Sequence, residues 1–130
     1  MLSEEDLMTR FLCDLSNLGL PVNEVDVVFR PYSKTFYGRY YPSVNEDKKK
    51  PRVVIYPYEV NGEFMDYNII IENGVHEFIH HLQYVSGSFI RRKGVMHDTN
   101  FWKLYNFYMK RAYKLGIAEK RGDLVECASV

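Results

Sequence analysis

The stretch VHEFIHHLQ, residues 75–83, constrains this chain more than any other. It holds three of the chain's four histidines, and His76 and His80 are separated by one helical repeat. In a helix both rings lie on one face, about 6 Å apart along the axis. That separation lets two imidazole nitrogens reach one zinc ion at ~2.0–2.1 Å. The residues between them include Phe78 and Ile79, so the same helix is predicted to pack on a core.

Glu77 directly follows the first of these histidines. It is too close to His76 to bind the same ion alongside both rings, but it can face a water next to that ion, as a general base does. The spacing is the H-E-x-x-H pattern of zinc metallopeptidases. The sequence therefore predicts Glu77 as the catalytic base of a hydrolase. The alternative is a surface cluster of histidines that binds no metal.

A catalytic zinc site needs a third protein ligand. The metzincin spacing would require glycine at 83 and histidine at 86, where the chain has Gln83 and Ser86. His97 is the remaining histidine, at the start of a predicted helix and on the stripe that faces inward through Phe101. The predicted ligands of one Zn²⁺ are therefore His76, His80 and His97.

Two further polar residues lie next to the predicted ligands. His81 is about 100° around the helix from His80, which excludes it from the same metal face. It is predicted to lie around the ligands or at the surface. Asp98 follows His97 and has two open roles, because it can orient a ligand imidazole or cap the next helix.

Hydrophobic periodicity predicts three helices and a small sheet. The helical segments are about 3–18, 66–85 and 98–116. The β-branched and aromatic runs predict strands at 25–30, 36–41 and 52–58. This order predicts an α+β domain with a small three-stranded sheet, antiparallel or mixed, on three helices. A single domain covers 1–130, and the weakly patterned tail after about 117 is expected to fray. Gly74, inside the second helix, leaves room for another backbone to come close.

Composition limits the class of protein. The chain is 46% hydrophobic and 26% charged, as in soluble globular domains, and no apolar run is long enough to span a bilayer. The acidic start MLSEEDL differs from the basic and then apolar start of a secretory signal, so the sequence predicts a cytoplasmic protein without membrane contact. Cys13 and Cys127 are too few for a disulfide framework or a four-cysteine zinc module.

Charge is unevenly distributed along the chain. Residues 88–121 hold nine Lys or Arg and two Asp or Glu, whereas residues 1–87 hold eight and 13. A basic segment can contact phosphates, or it can be a solvated helix face. The candidates for contact with nucleic acid are Arg91, Arg92 and Lys93.

With HEFIHH, His97 and the following HDTNFWKLYNFYMKRA, the chain resembles the SprT-like zinc metallopeptidase family, the Spartan group. The strand RVVIYPY before the motif helix matches the order in that family. The resemblance implies a minimal zincin-like fold with zinc on His76, His80 and His97, and Glu77 as the base. It also implies cleavage of proteins associated with DNA. The chain departs from the family at Asp98, where glycine is usual, and in lacking the four cysteines of a zinc ribbon.

Overall fold

The computed structural model describes residues 2–42, 50–87 and 97–120. Within these ranges the chain forms an α+β domain, as the sequence predicts. The elements in chain order are α1 (Glu4–Asn17), a short 3₁₀ helix (Val22–Glu24), β1 (Asp26–Phe29), β2 (Gly38–Tyr41), β3 (Arg52–Ile55), α2 (Tyr67–Val85) and α3 (Thr99–Lys114).

The sheet is mixed, which resolves the alternative left open by the sequence. Its strand order is β1-β3-β2, with β1 parallel and β2 antiparallel to β3. Central β3 is hydrophobic at each of its last three positions, and all three are buried. A strand is predicted at 52–58, but β3 ends at Ile55. Pro57, two positions further on, has no backbone N–H to donate to a neighbouring strand.

Each of the three helices begins at a polar cap. The backbone N–H of Asp6 donates to Ser3 Oγ at 3.0 Å, and that of Asn68 donates to the Asp66 carboxylate at 2.8 Å. The third cap is Asp98. A side-chain acceptor at each helix start satisfies a backbone donor that has no partner within the helix.

Helix α2 lies at the centre of the fold, in contact with α1, α3, β2 and β3. Gly74 on this helix is buried, and the atoms nearest to it on α1 belong to side chains. A Cβ atom there would lie 2.5 Å from Cζ and 2.7 Å from Cε1 of Phe11, an aromatic side chain of α1. The glycine is therefore required by a ring that packs against the helix axis, which periodicity cannot reveal.

Replacing Gly74 by alanine should destabilise the protein despite the better helix propensity of alanine. Overpacking costs about 1–3 kcal/mol, and the propensity gain returns up to about 1 kcal/mol. Urea denaturation should therefore show a net loss of roughly 1–2 kcal/mol in the free energy of unfolding. Phe11→Leu replaces the ring by a smaller side chain. The penalty of Gly74→Ala should therefore be smaller in the double variant Phe11→Leu/Gly74→Ala. A Gly74→Ala protein as stable as the wild type would contradict the packing argument.

The beginning of the tail contacts the domain, whereas residues 121–130, which the expected fraying also concerns, lie outside the described residues. Ala118 is 5% exposed, and the backbone N–H of Glu119 donates to the Asn68 side chain at 2.9 Å. These contacts join residues 118–119 to the start of α2. In the part of the chain that the structure describes, no helix has the length and hydrophobicity needed to cross a membrane.

Candidate metal centre

Helix α2 presents His76 and His80 on one face, as their spacing predicts. Their ring centroids are 5.3 Å apart. His80 is buried and His76 is half-buried, so one ring lies deeper in the domain than the other. The two side chains come from consecutive turns of a helix whose opposite side lies in the core, which limits the movement of both rings.

His97 approaches these two rings from the start of α3. Its Nε2 atom lies 3.0 Å from Nε2 of His76, and its ring centroid is 5.1 Å from that of His80. One potential ligand atom from each of the three histidines lies within 4.8 Å of the others. The structure therefore brings together the three histidines that the sequence predicts, although they are up to 21 positions apart in the chain.

The chemistry and spacing of these nitrogens fit a single metal ion. Two nitrogens bound to one tetrahedral zinc at ~2.0–2.1 Å are about 3.3 Å apart, close to the separation of the His76 and His97 Nε2 atoms. Burial, together with the nearby charge of His97, lowers the pKa of His76 to about 4, and burial also lowers the pKa of His97. Both rings thus stay neutral near pH 7, and neutral imidazole is the form that binds metals.

Phe101 on α3 supports all three rings from below. It is completely buried, and its ring centroid lies 4.8 Å from that of His76, 4.9 Å from His80 and 4.7 Å from His97. The sequence places Phe101 on the inward stripe of the third helix but does not show that one ring touches the whole cluster. Packing against Phe101 restricts the orientation of each imidazole.

Truncation of Phe101 to alanine should weaken both the fold and the metal site. Loss of a buried phenylalanine costs about 3–5 kcal/mol in the free energy of unfolding. Because the three rings lose a shared support, zinc affinity should also fall by roughly 10–100-fold, the effect typical of losing an outer-shell contact. Calorimetric zinc titration of Phe101→Leu, which retains more packing, should show an intermediate loss. Phe107→Ala, at a 59% exposed position of the same helix, is the control. Unchanged zinc affinity in Phe101→Ala would contradict this role.

Glu77 lies between α2 and β2 and is only 6% exposed. Strand β2 comes so close that a Cβ atom on Gly38 would lie 2.9 Å from Glu77 Cγ and 3.1 Å from Oε2. Burial raises the pKa of Glu77 to about 8, and the charge of Arg39 opposes that shift. A cation held by the histidines would lower the pKa, because a nearby positive charge favours the carboxylate. No sequence prediction includes Gly38, although a glycine within a strand pattern indicates close approach.

Asp98 caps α3. The backbone N–H of Phe101 donates to Asp98 Oδ1 at 2.8 Å, and Gln83 Nε2 donates to the same oxygen at 3.3 Å. Of the two roles left open by the sequence, the helix cap is confirmed. The bond from Gln83 joins the cap to α2, so it fixes the start of α3 directly beside His97.

The surface alternative for His81 is wrong. This ring is 1% exposed and lies away from the other three histidines, with Nδ1 2.8 Å from the Tyr40 hydroxyl and Nε2 2.9 Å from Glu24 Oε1. The reason is the direction of residue 81 on α2, which faces the sheet and the segment before β1. A histidine pattern alone cannot tell such a buried hydrogen-bonded ring from an exposed one.

The rim of the site carries aromatic side chains from α3. Trp102 is 43% exposed, with its ring centroid 5.8 Å from that of His97 and 6.2 Å from that of His76. The Tyr105 ring lies 6.3 Å from the His76 ring. No motif in the sequence includes Trp102.

The predicted nucleic-acid contacts Arg91, Arg92 and Lys93 lie outside the described residues. Helix α3 itself contains no Asp or Glu and carries four exposed basic residues, Lys103, Lys110, Arg111 and Lys114. In the described part of the basic segment, these residues extend along α3 from Lys103 to its last turn.

Comparison with known proteins gives no family assignment. No protein-family model matches this chain, and no curated protein matches it. The spacing of the motif residues and the geometry of the histidine cluster are therefore the observations that bear on function.

Proposed function

We propose that this chain is a zinc-dependent metallopeptidase of the SprT-like type that hydrolyses peptide bonds. The observation that supports this most directly is the convergence of His76, His80 and His97, with potential ligand atoms within 4.8 Å of one another. Glu77 adjoins the cluster on the same helix, which is the relation that the H-E-x-x-H chemistry requires. A histidine cluster of purely structural function would not need a buried carboxylate at that position.

The residues of the site have two different roles in peptide hydrolysis, metal binding and proton transfer. The three imidazoles would hold one Zn²⁺, which supplies Lewis-acid polarisation of a carbonyl and lowers the pKa of water. Glu77 accepts the proton of the attacking water and delivers it to the amine that leaves. Strand β2 lies against Glu77, which is 6% exposed, so this packing would limit the orientations of the carboxylate during both proton transfers.

The sheet offers a place for an extended substrate. Among the described strands, β2 lies at one edge of the sheet and next to Glu77. A peptide that adds to this edge would bind mainly through its backbone, with little dependence on side-chain sequence. The exposed ring of Trp102 lies near the same cluster and offers an apolar contact. A protein segment in extended conformation is therefore the substrate class we propose.

The basic surface of α3 favours substrates associated with DNA, and it also supports a second candidate function. In this alternative the chain is a non-catalytic zinc-containing module that docks on nucleic acid or a partner protein. The observation in its favour is the four exposed basic residues of α3 without an acidic neighbour on that helix. DNA binding should then weaken steeply with salt, because each phosphate contact releases counterions.

One experiment distinguishes the two candidates. The protein is freed of metal with a chelator and titrated back with zinc, while cleavage of an unfolded protein substrate is followed by mass spectrometry. The metallopeptidase proposal expects cleavage that vanishes in the metal-free protein and returns in proportion to bound zinc. Zinc-loaded protein that leaves the substrate intact but binds DNA with strong salt dependence would favour the second candidate.

A further inference from the structure

A chain of hydrogen bonds, buried at Tyr40 and His81 and exposed at Glu24, links β2, α2 and the segment before β1, and the proposed reaction does not use it. It runs from the Tyr40 hydroxyl to His81 Nδ1 at 2.8 Å, and from His81 Nε2 to Glu24 Oε1 at 2.9 Å. Tyr40 is 6% and His81 1% exposed. Burying a histidine ring costs free energy if its nitrogens lack hydrogen-bond partners. Both nitrogens of His81 have a partner, which stabilises this one arrangement.

The partners determine the direction of these bonds. A carboxylate only accepts, so His81 Nε2 carries the proton and donates to Glu24. In the tautomer with its single proton on Nε2, Nδ1 accepts the proton of the Tyr40 hydroxyl. Burial raises the pKa of Tyr40 well above its usual range, which keeps this hydroxyl a donor.

The same strand makes two contacts with the same face of α2. Gly38 and Tyr40 are two positions apart on β2, so both side-chain positions point to one side of the sheet. Glu77 and His81 are four positions apart on α2 and lie one above the other. Two strand residues span about 6.6 Å and one helical turn about 5.4 Å, so Gly38 on Glu77 and Tyr40 on His81 form a matched pair of contacts.

We propose that His81 is a positioning residue, which through Tyr40 holds β2 at the place where the Gly38 backbone confines the Glu77 side chain. The link rests on the proposed function, because it deepens the role of Glu77 as the base. The contact at Gly38 leaves no room for a methyl group. A small displacement of β2 would therefore either crowd Glu77 or release it to other rotamers.

The proposal separates the control of Glu77 from the binding of metal. His76, His80 and His97 are carried by α2 and α3 and supported by Phe101, with no contribution from β2 among these contacts. Loosening β2 should thus change proton transfer while the metal stays bound. A misplacement of about 1 Å can cost up to about 100-fold in rate.

Two substitutions of His81 distinguish its two bonds. Asparagine retains a polar atom near the position of Nδ1, which faces Tyr40, whereas glutamine retains one near Nε2, which faces Glu24. Tyr40→Phe removes only the hydroxyl. The matched control is Tyr41→Phe, the next residue of β2, whose ring is 39% exposed. Each zinc-loaded protein is studied well below its unfolding temperature.

The measurements are zinc affinity, kcat and KM on one extended peptide, and hydrogen exchange of the β2 amides. Tyr40→Phe and His81→Gln should bind zinc as the wild type does, lose roughly 10–100-fold in kcat, and exchange β2 amides faster. His81→Asn and Tyr41→Phe should stay within a few-fold of wild type. The gain of activity from His81→Gln to His81→Asn is a rescue that a loss of stability alone would not produce.

Several outcomes would overturn the proposal. One is a lower unfolding temperature with unchanged kcat in Tyr40→Phe and His81→Gln, which would make the chain merely structural. Loss of zinc along with activity would mean that the hydrogen-bond chain supports metal binding. A change confined to KM would mean that it supports substrate binding. If the zinc-loaded wild type cleaves nothing, the proposed function fails. The hydrogen exchange of the β2 amides then tests by itself whether Tyr40 and His81 hold β2 in place. Equal exchange of β2 in wild type and Tyr40→Phe would overturn the positioning role.

Discussion

Replacing Glu77 by glutamine is expected to leave zinc binding intact and to lower kcat by at least about 100-fold, the lower range for loss of a general base. Glutamine has nearly the same shape as glutamate, so the narrow space below Gly38 still accommodates it. Its neutral amide does not accept a proton from water. Because the buried carboxylate has lost most of its hydration, glutamine should also leave the fold at least as stable as before.

The measurement is steady-state cleavage at saturating peptide, with zinc content determined on the same samples. Glu5→Gln, the same chemical change in the first turn of α1, is the control and should retain full activity. An equal kcat for Glu77→Gln and wild type would remove Glu77 from the reaction. Loss of zinc in Glu77→Gln would mean that the carboxylate supports the ligands rather than the proton transfer.

Replacing His97 by alanine is expected to cause the largest loss of zinc affinity after removal of the α2 histidines themselves. The loss should exceed the ~10–100-fold effect of outer-shell contacts, because a ligand is removed. His76 and His80 belong to α2, whereas His97 does not. Without His97, only the two α2 histidines of this cluster remain to bind the ion. The change should leave the metal-free fold nearly intact, since His97 is exposed.

Thermal unfolding with and without zinc tests this directly. A ligand at 100 times its Kd stabilises the folded state by about 2.7 kcal/mol, so zinc should raise the unfolding temperature of wild type clearly and that of His97→Ala little. Asn100→Ala, an exposed position in the first turn of α3, should respond to zinc as the wild type does. An equal response of His97→Ala would show that the third ligand lies elsewhere.

The helices were the most predictable part of this fold. Ser3, Asp66 and Asp98 each bond to a backbone donor of the first turn, and such caps depend on residues only a few positions away. The helix ends are also local, as at Gly116, whose φ of 74° suits a residue without a side chain. The sheet was less predictable, because the parallel pairing of β1 with β3 joins strands with β2 between them in the chain.

The histidine cluster was predictable to different degrees. His76 and His80 face one side because of helix geometry alone. The closeness of His97 was inferred from the hydrophobic stripe that it shares with Phe101, and the structure confirms it. For His81 the same reasoning allowed a surface position, because periodicity does not tell which neighbour covers a given side of α2.

The order of amino acids by itself determined where the helices begin and end, which side of α2 carries the metal-binding pair, and which glutamate accompanies it. These properties arise from hydrogen bonds and spacings within a few residues. Only the tertiary structure decided that the Gly38 backbone packs against Glu77 and that the Phe11 ring packs against Gly74. It also decided that His81 is buried and hydrogen-bonded to Tyr40. Such contacts join residues distant in the chain, and they depend on how the packed elements share the limited volume of one core.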